Sequence, residues 1–132
     1  MDQTLLVDHE LQDVPRLIVE LRKDNFIPKA VFWLYSNEDN AWNICFVMDG
    51  IKEHGSRNQY LTLVKAMRRM NDLWIDPFAV KIIDSNDPLA KAVLDHLSTR
   101  HTKIPTRVRN ARLGDVFVDS AYIYPNAIVA GT

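Results

Sequence analysis

The residues with the strongest claim to chemistry are five cations near the C-terminus: Arg100, Lys103, Arg107, Arg109 and Arg112. His101 lies among them, and no acidic residue falls between 100 and 112. The formal net charge of the whole chain is −1, so removing these five positive charges leaves −6 on the remainder. On a strand, Arg107 and Arg109 project from one face, close enough to grip two phosphates or a carboxylate-rich partner. Charges on an edge strand also protect against edge-to-edge aggregation, so the segment reads either as an anion or nucleic-acid surface or as a guarded edge. Lys65, Arg68 and Arg69 would enlarge the patch if their helix lay nearby.

The other candidate constellations are weaker. Asp49, Lys52, Glu53 and His54 form a dense titratable set in a loop, the setting of a small-molecule site if a cleft opens beside it. Asp84 with Asp87, and Asp115 with Asp119, could hold a cation, although turn and cap hydrogen bonds explain them as well. The four histidines, His9, His54, His96 and His101, are scattered and carry no nucleophile signature with Cys45 or a serine. G-x-G-x-x-G, a phosphate loop, H-E-x-x-H and C-x-x-C are all missing, as is the E-x-K triplet of nuclease-like folds. The expectation is therefore a chain with no metal site and no cofactor, more a binding module than an enzyme. Cys45, the single cysteine, sits in the apolar run Ile44–Val47 and reads as a buried, inert thiol.

A second surface is aromatic. Trp33, Tyr35, Trp42, Tyr122 and Tyr124 recur on predicted strands, and Trp74 lies on a predicted helix face. Rings left uncovered by helices would form a small-ligand pocket or a homodimer interface.

These residues require a scaffold. At 132 residues, 47% hydrophobic and 25% charged, the chain suits one domain that folds without disulfides or metal. Val14, Leu17, Ile18 and Leu21 predict a helix over residues 13–24, started by Asp13 and Pro15, with an extension through Leu5, Leu6 and Leu11 left open. Residues 29–36 and 41–48, joined by the polar stretch 37–40, predict a β-hairpin. Trp33 and Tyr35 fall on one of its faces, Phe32 and Leu34 on the other, so both faces need covering. Ser56 predicts the cap of a helix over 57–73 with the stripe Tyr60, Leu63, Val64, Met67, Met70 and Trp74. A short strand over 79–84 leads through Asp87 and Pro88 into a helix reaching about residue 100. Residues 106–113 and 116–124 around Gly114–Asp115 predict a second hairpin.

The order α-β-β-α-β-α-β-β predicts an α+β domain over 1–132, with three helices on a mixed or antiparallel sheet of about five strands. The longest apolar run, Ala30–Tyr35, is far too short to span a bilayer. The acidic start (Asp2, Asp8, Glu10, Asp13) is unlike a signal peptide, so a cytoplasmic protein with no membrane partner is expected.

Two stretches carry a resemblance: Ala30-Val31-Phe32-Trp33-Leu34-Tyr35 followed by Trp42, and Asp119-Ser120-Ala121-Tyr122-Ile123-Tyr124. They resemble small uncharacterised bacterial proteins of similar length, of the kind also carried on mobile gene cassettes. The resemblance covers the two hairpins only. It implies a bacterial cytoplasmic origin and assigns no site residue.

Overall fold

The computed structural model describes residues 8–38, 40–100 and 103–130. The elements run α1 (Asp8–Lys23), β1 (Ala30–Ser36), β2 (Ala41–Met48), α2 (Ile51–His54), α3 (Arg57–Arg69), β3 (Val80–Asp84), α4 (Pro88–Thr99), β4 (Thr106–Leu113), β5 (Val116–Ile123) and α5 (Asn126–Val129). The fold is α+β, as the sequence order requires. The five strands form one mixed sheet in the order β3-β2-β1-β5-β4. Only the β2–β3 pair is parallel.

Both faces of the β1–β2 hairpin are covered within the chain. Val31 and Trp33 with Ile44 and Phe46 meet Val14, Leu17, Ile18 and Leu21 of α1, Leu63 and Ala66 of α3, and Val129 of α5. Phe32, Cys45 and Val47 lie on the other face with Ala90, Val93 and Leu97 of α4. The result is three layers, with helices on both sides of the sheet. Burial pushes the Cys45 thiol up to about 12. Iodoacetamide at mildly alkaline pH is therefore expected to leave Cys45 unmodified in the folded protein and to alkylate it in denaturant, which mass spectrometry reads directly.

Helix α1 begins earlier than Asp13. That residue is buried inside the helix, where it accepts a hydrogen bond from the Trp74 N–H at 2.5 Å and pairs with Arg16 at 3.1 Å. Pro15 consequently sits in the helix interior. It has no N–H to give the Leu11 carbonyl one turn back, and its ring crowds that oxygen. The Tyr124 hydroxyl replaces the missing donor, reaching the Leu11 carbonyl at 2.9 Å. The same hydroxyl accepts from the Trp33 indole N–H at 3.0 Å, so a buried relay joins β1, the end of β5 and the proline turn of α1. Asn25, at φ 59°, closes the helix, with the Phe26 N–H returning to the Leu21 carbonyl at 3.0 Å and the Phe26 ring buried.

Helix α3 ends at Arg69 rather than near 73, and Trp74 leaves its stripe to lie 58% exposed, stacked on His9 at 4.5 Å. Ser56 makes no side-chain cap. Asp87 caps α4 as expected, accepting from the Leu89 N–H at 2.9 Å. Tyr60 of α3 accepts from the Ile82 N–H at 3.0 Å, which occupies an outward donor of the edge strand β3. The short helices α2 and α5 carry no periodic signal long enough to read in advance. Among the described residues, no helix is long and apolar enough to cross a membrane.

Candidate functional site

The site grows from the β4–β5 hairpin. Strand β4 is the edge of the sheet opposite β3, and its register sets Arg107 against Tyr122, Arg109 against Ser120 and Arg112 against Phe117. Strand β5 continues these rows into β1, where Tyr122 faces Trp33 and Ser120 faces Tyr35, and β2 sets Trp42 against Tyr35. Two rows thus cross the sheet: Arg107–Tyr122–Trp33 and Arg109–Ser120–Tyr35–Trp42. The basic segment and the sheet aromatics, read separately in the sequence, lie on one face.

Regular alternation would put Arg112 on the opposite face from Arg107, since they are five residues apart. The hairpin breaks that alternation. Asn110 adopts φ 44°, and the Asn110–Asp119 pair drops out of the ladder. Val108 and Leu113 on β4, and Val118 and Ala121 on β5, consequently all join the α4 side despite their odd spacings. Arg107, Arg109 and Arg112, with Phe117, are left on the other side. Asparagine tolerates this left-handed backbone, so its presence within a β run was the available signal. The three arginines extend over about 17 Å of strand.

Arg107 lies with its guanidinium carbon 5.9 Å from the Trp42 ring centroid. Trp42 itself packs on Tyr35 at 5.6 Å, and the Tyr35 hydroxyl donates to Asn40 Oδ1. Tyr122 meets Tyr124 edge-on at 5.4 Å. Partial burial pushes the Tyr122 hydroxyl above its ordinary value, against the opposing pull of the Arg107 charge. Trp42 is mostly buried, and Tyr35 and Tyr122 are half-buried, while Phe117 stands 59% exposed beside Arg112. Trp33 and Tyr124 are wholly buried and committed to the relay with Leu11, so they provide core rather than contact surface.

Among the described residues, four cations on other surfaces are ion-paired, whereas Lys65, Arg68 and Lys91 are not. Arg16 pairs with Asp72, Lys23 with Glu20, Lys29 with Asp49, and Arg69 with Glu20 and Asp24. Among the described residues, none of Arg100, Lys103, Arg107, Arg109 or Arg112 has a carboxylate partner within salt-bridge distance. Arg100 ends α4 and Lys103 precedes β4, while His101 lies outside the described residues. Helix α3 does not enlarge the patch: Arg69 is tied to α1, and Tyr60 anchors the helix to β3 at the far edge.

The segment after β2, expected as a loop, is a turn at Asp49 and Gly50 followed by helix α2, which carries Lys52, Glu53 and His54. Asp84 accepts from the backbone N–H groups of Ile51, Lys52 and Asn86 at 3.0, 3.2 and 2.8 Å, which holds its carboxyl below the usual range. Asp49 accepts from the Ser85 hydroxyl at 2.5 Å and pairs with Lys29 at 3.1 Å. Lys52, Glu53 and His54 are exposed. Among the described residues, grooves of about 380, 150 and 350 Å³ are lined by segments other than Asp49, Lys52, Glu53 and His54. The aspartates at 84, 87, 115 and 119 gather no third ligand, and among the described residues no group of three or more His, Cys, Asp or Glu side chains forms a candidate metal cluster.

Comparison of the chain with protein-family models, curated proteins and solved structures finds no match.

Proposed function

We propose that the chain binds single-stranded nucleic acid along the outer face of the β4–β5 hairpin. The observation that carries this reading is the placement of Arg107, Arg109 and Arg112 on one face of an edge strand, without carboxylate partners and beside exposed Phe117. Guanidinium groups neutralise successive phosphates, and aromatic faces accept unstacked bases whatever their sequence. A merely acidic protein partner would use the charges but would have no need of the ring. The remaining negative charge of the chain repels a polyanion elsewhere and orients its approach to this edge. No chemical step is assigned, and the reading is of a binding module.

The test is fluorescence anisotropy of labelled single-stranded oligonucleotides across a range of salt. Four cations, Lys103 and the three arginines, predict a log–log slope near −3, because each phosphate neutralised on a single strand contributes about −0.7. Binding that is flat with salt, or none at low ionic strength, would sink the proposal.

A further inference from the structure

On the opposite side of the molecule a groove of about 380 Å³ opens between the end of α3 and the segment leading to β3. Its wall is apolar and deformable, built from Met67, Met70, Leu73 and Ile75, and Arg68 stands at it. Pro77 also lines the groove, and the next residue, Phe78, holds its ring almost entirely in solvent, 95% exposed. Phe78 is the most exposed large hydrophobic side chain among the described residues, and the backbone that carries it is held in a turn. Residues Pro77–Ala79 form a 3-10 turn whose cap, Asp76, accepts from the Phe78 N–H at 2.9 Å and fixes the backbone that carries the ring.

We infer that this surface joins two copies of the chain about a two-fold axis, each Phe78 entering the other copy's methionine-lined groove. The feature is self-complementary, as an isologous interface must be: the plug and the groove lie side by side on one molecule. Its charges match in the same sense. Arg68 has no ion-pair partner among the described residues, and Asp76 uses only Oδ1, for the turn. When Phe78 enters the facing groove, Asp76, two residues before it, meets Arg68 of the second copy. Two such pairs close the interface and exclude a longer chain of copies. The Tyr60 hydroxyl already occupies the Ile82 N–H on the β3 edge, so assembly uses side chains rather than added strand pairing. This contact surface is independent of the nucleic-acid reading. It lies on the β3 side and leaves both β4 strands at the outer ends of the dimer.

Analytical ultracentrifugation over a wide concentration range tests the inference. The wild-type chain is expected to sediment as a dimer. Arg68→Asp and Asp76→Arg should each raise the dissociation constant at least about a hundredfold by setting like charges together twice. Mixed with each other, these two variants are expected to recover a dimer, since one contact then pairs the two substituted side chains and the other is the native pair. Phe78→Ser should abolish association, with unchanged far-ultraviolet circular dichroism showing that the fold survives. If Phe78→Ser does not fold, the mixing experiment with exposed-site variants remains decisive. A monomeric wild type at every concentration, a dimer indifferent to all three substitutions, or a mixture that stays monomeric would each overturn the assignment.

Discussion

Tyr124→Phe is expected to destabilise the protein by about 2–4 kcal/mol, although it removes a single oxygen. The hydroxyl bonds to two groups at once, the carbonyl of half-buried Leu11 at 2.9 Å and the buried Trp33 indole N–H at 3.0 Å. A stranded Trp33 N–H costs about 1–3 kcal/mol, and the lost bond to the half-buried Leu11 carbonyl adds about 0.5–1.5 kcal/mol. The cause lies in α1, where Pro15 cannot supply the N–H that Leu11 needs. Pro15→Ala restores that donor. The penalty of Tyr124→Phe should therefore shrink by about 1 kcal/mol or more in the Pro15→Ala background, a coupling that a double-mutant cycle by urea unfolding measures. Equal penalties in the two backgrounds would show that the hydroxyl is not replacing the proline's missing donor. The buried phenol also gives a spectroscopic check: burial raises its ionisation far above that of a free tyrosine, so it should remain neutral in alkali until the protein unfolds.

Arg107→Ala combined with Arg109→Ala is expected to weaken binding to a single-stranded oligonucleotide at least about tenfold at low salt and to reduce the salt slope by about 1.4. Stability should change far less. The two side chains are exposed, and their truncation removes the packing of Arg107 over Trp42, worth about 0.5–1 kcal/mol for such a pair at a surface. Affinity and melting temperature thus separate a binding role from a structural one. Lys91→Ala, on the exposed side of α4, serves as a charge control and should leave binding unchanged. Equal losses for Lys91→Ala and the double variant would mean that general charge, rather than the arginine face, governs association.

The sequence disclosed the scaffold further than the site. Both hairpins, the Asp87–Pro88 cap and the two apolar faces of β1 could be read because each follows from local turn chemistry or from a period of two. Strand order could not, since pairing β5 with β1 and β3 parallel to β2 depends on how the faces pack. Asp13 and Pro15 imitate a helix start, yet α1 already runs from Asp8 through Leu11, and the extension left open to Leu5 and Leu6 lies outside the described residues. Only the distant Tyr124 hydroxyl makes the internal proline tolerable. The basic segment, Arg112 included, was visible as composition, but that Arg112 and Phe117 share the face of Arg107 follows only from the left-handed turn of Asn110. The Phe78 plug gave no signal because exposure is not written in a residue's type.

The most direct test of the binding account is an amide NMR titration of the isotope-labelled protein with a short single-stranded oligonucleotide. The account predicts shifts concentrated at Arg107, Arg109 and Arg112 on β4, at Phe117, Ser120 and Tyr122 on β5, and at neighbouring Tyr35, with α3 and β3 unmoved. An unchanged spectrum at saturating oligonucleotide, or shifts centred on the Met67–Met70 groove instead, would contradict it.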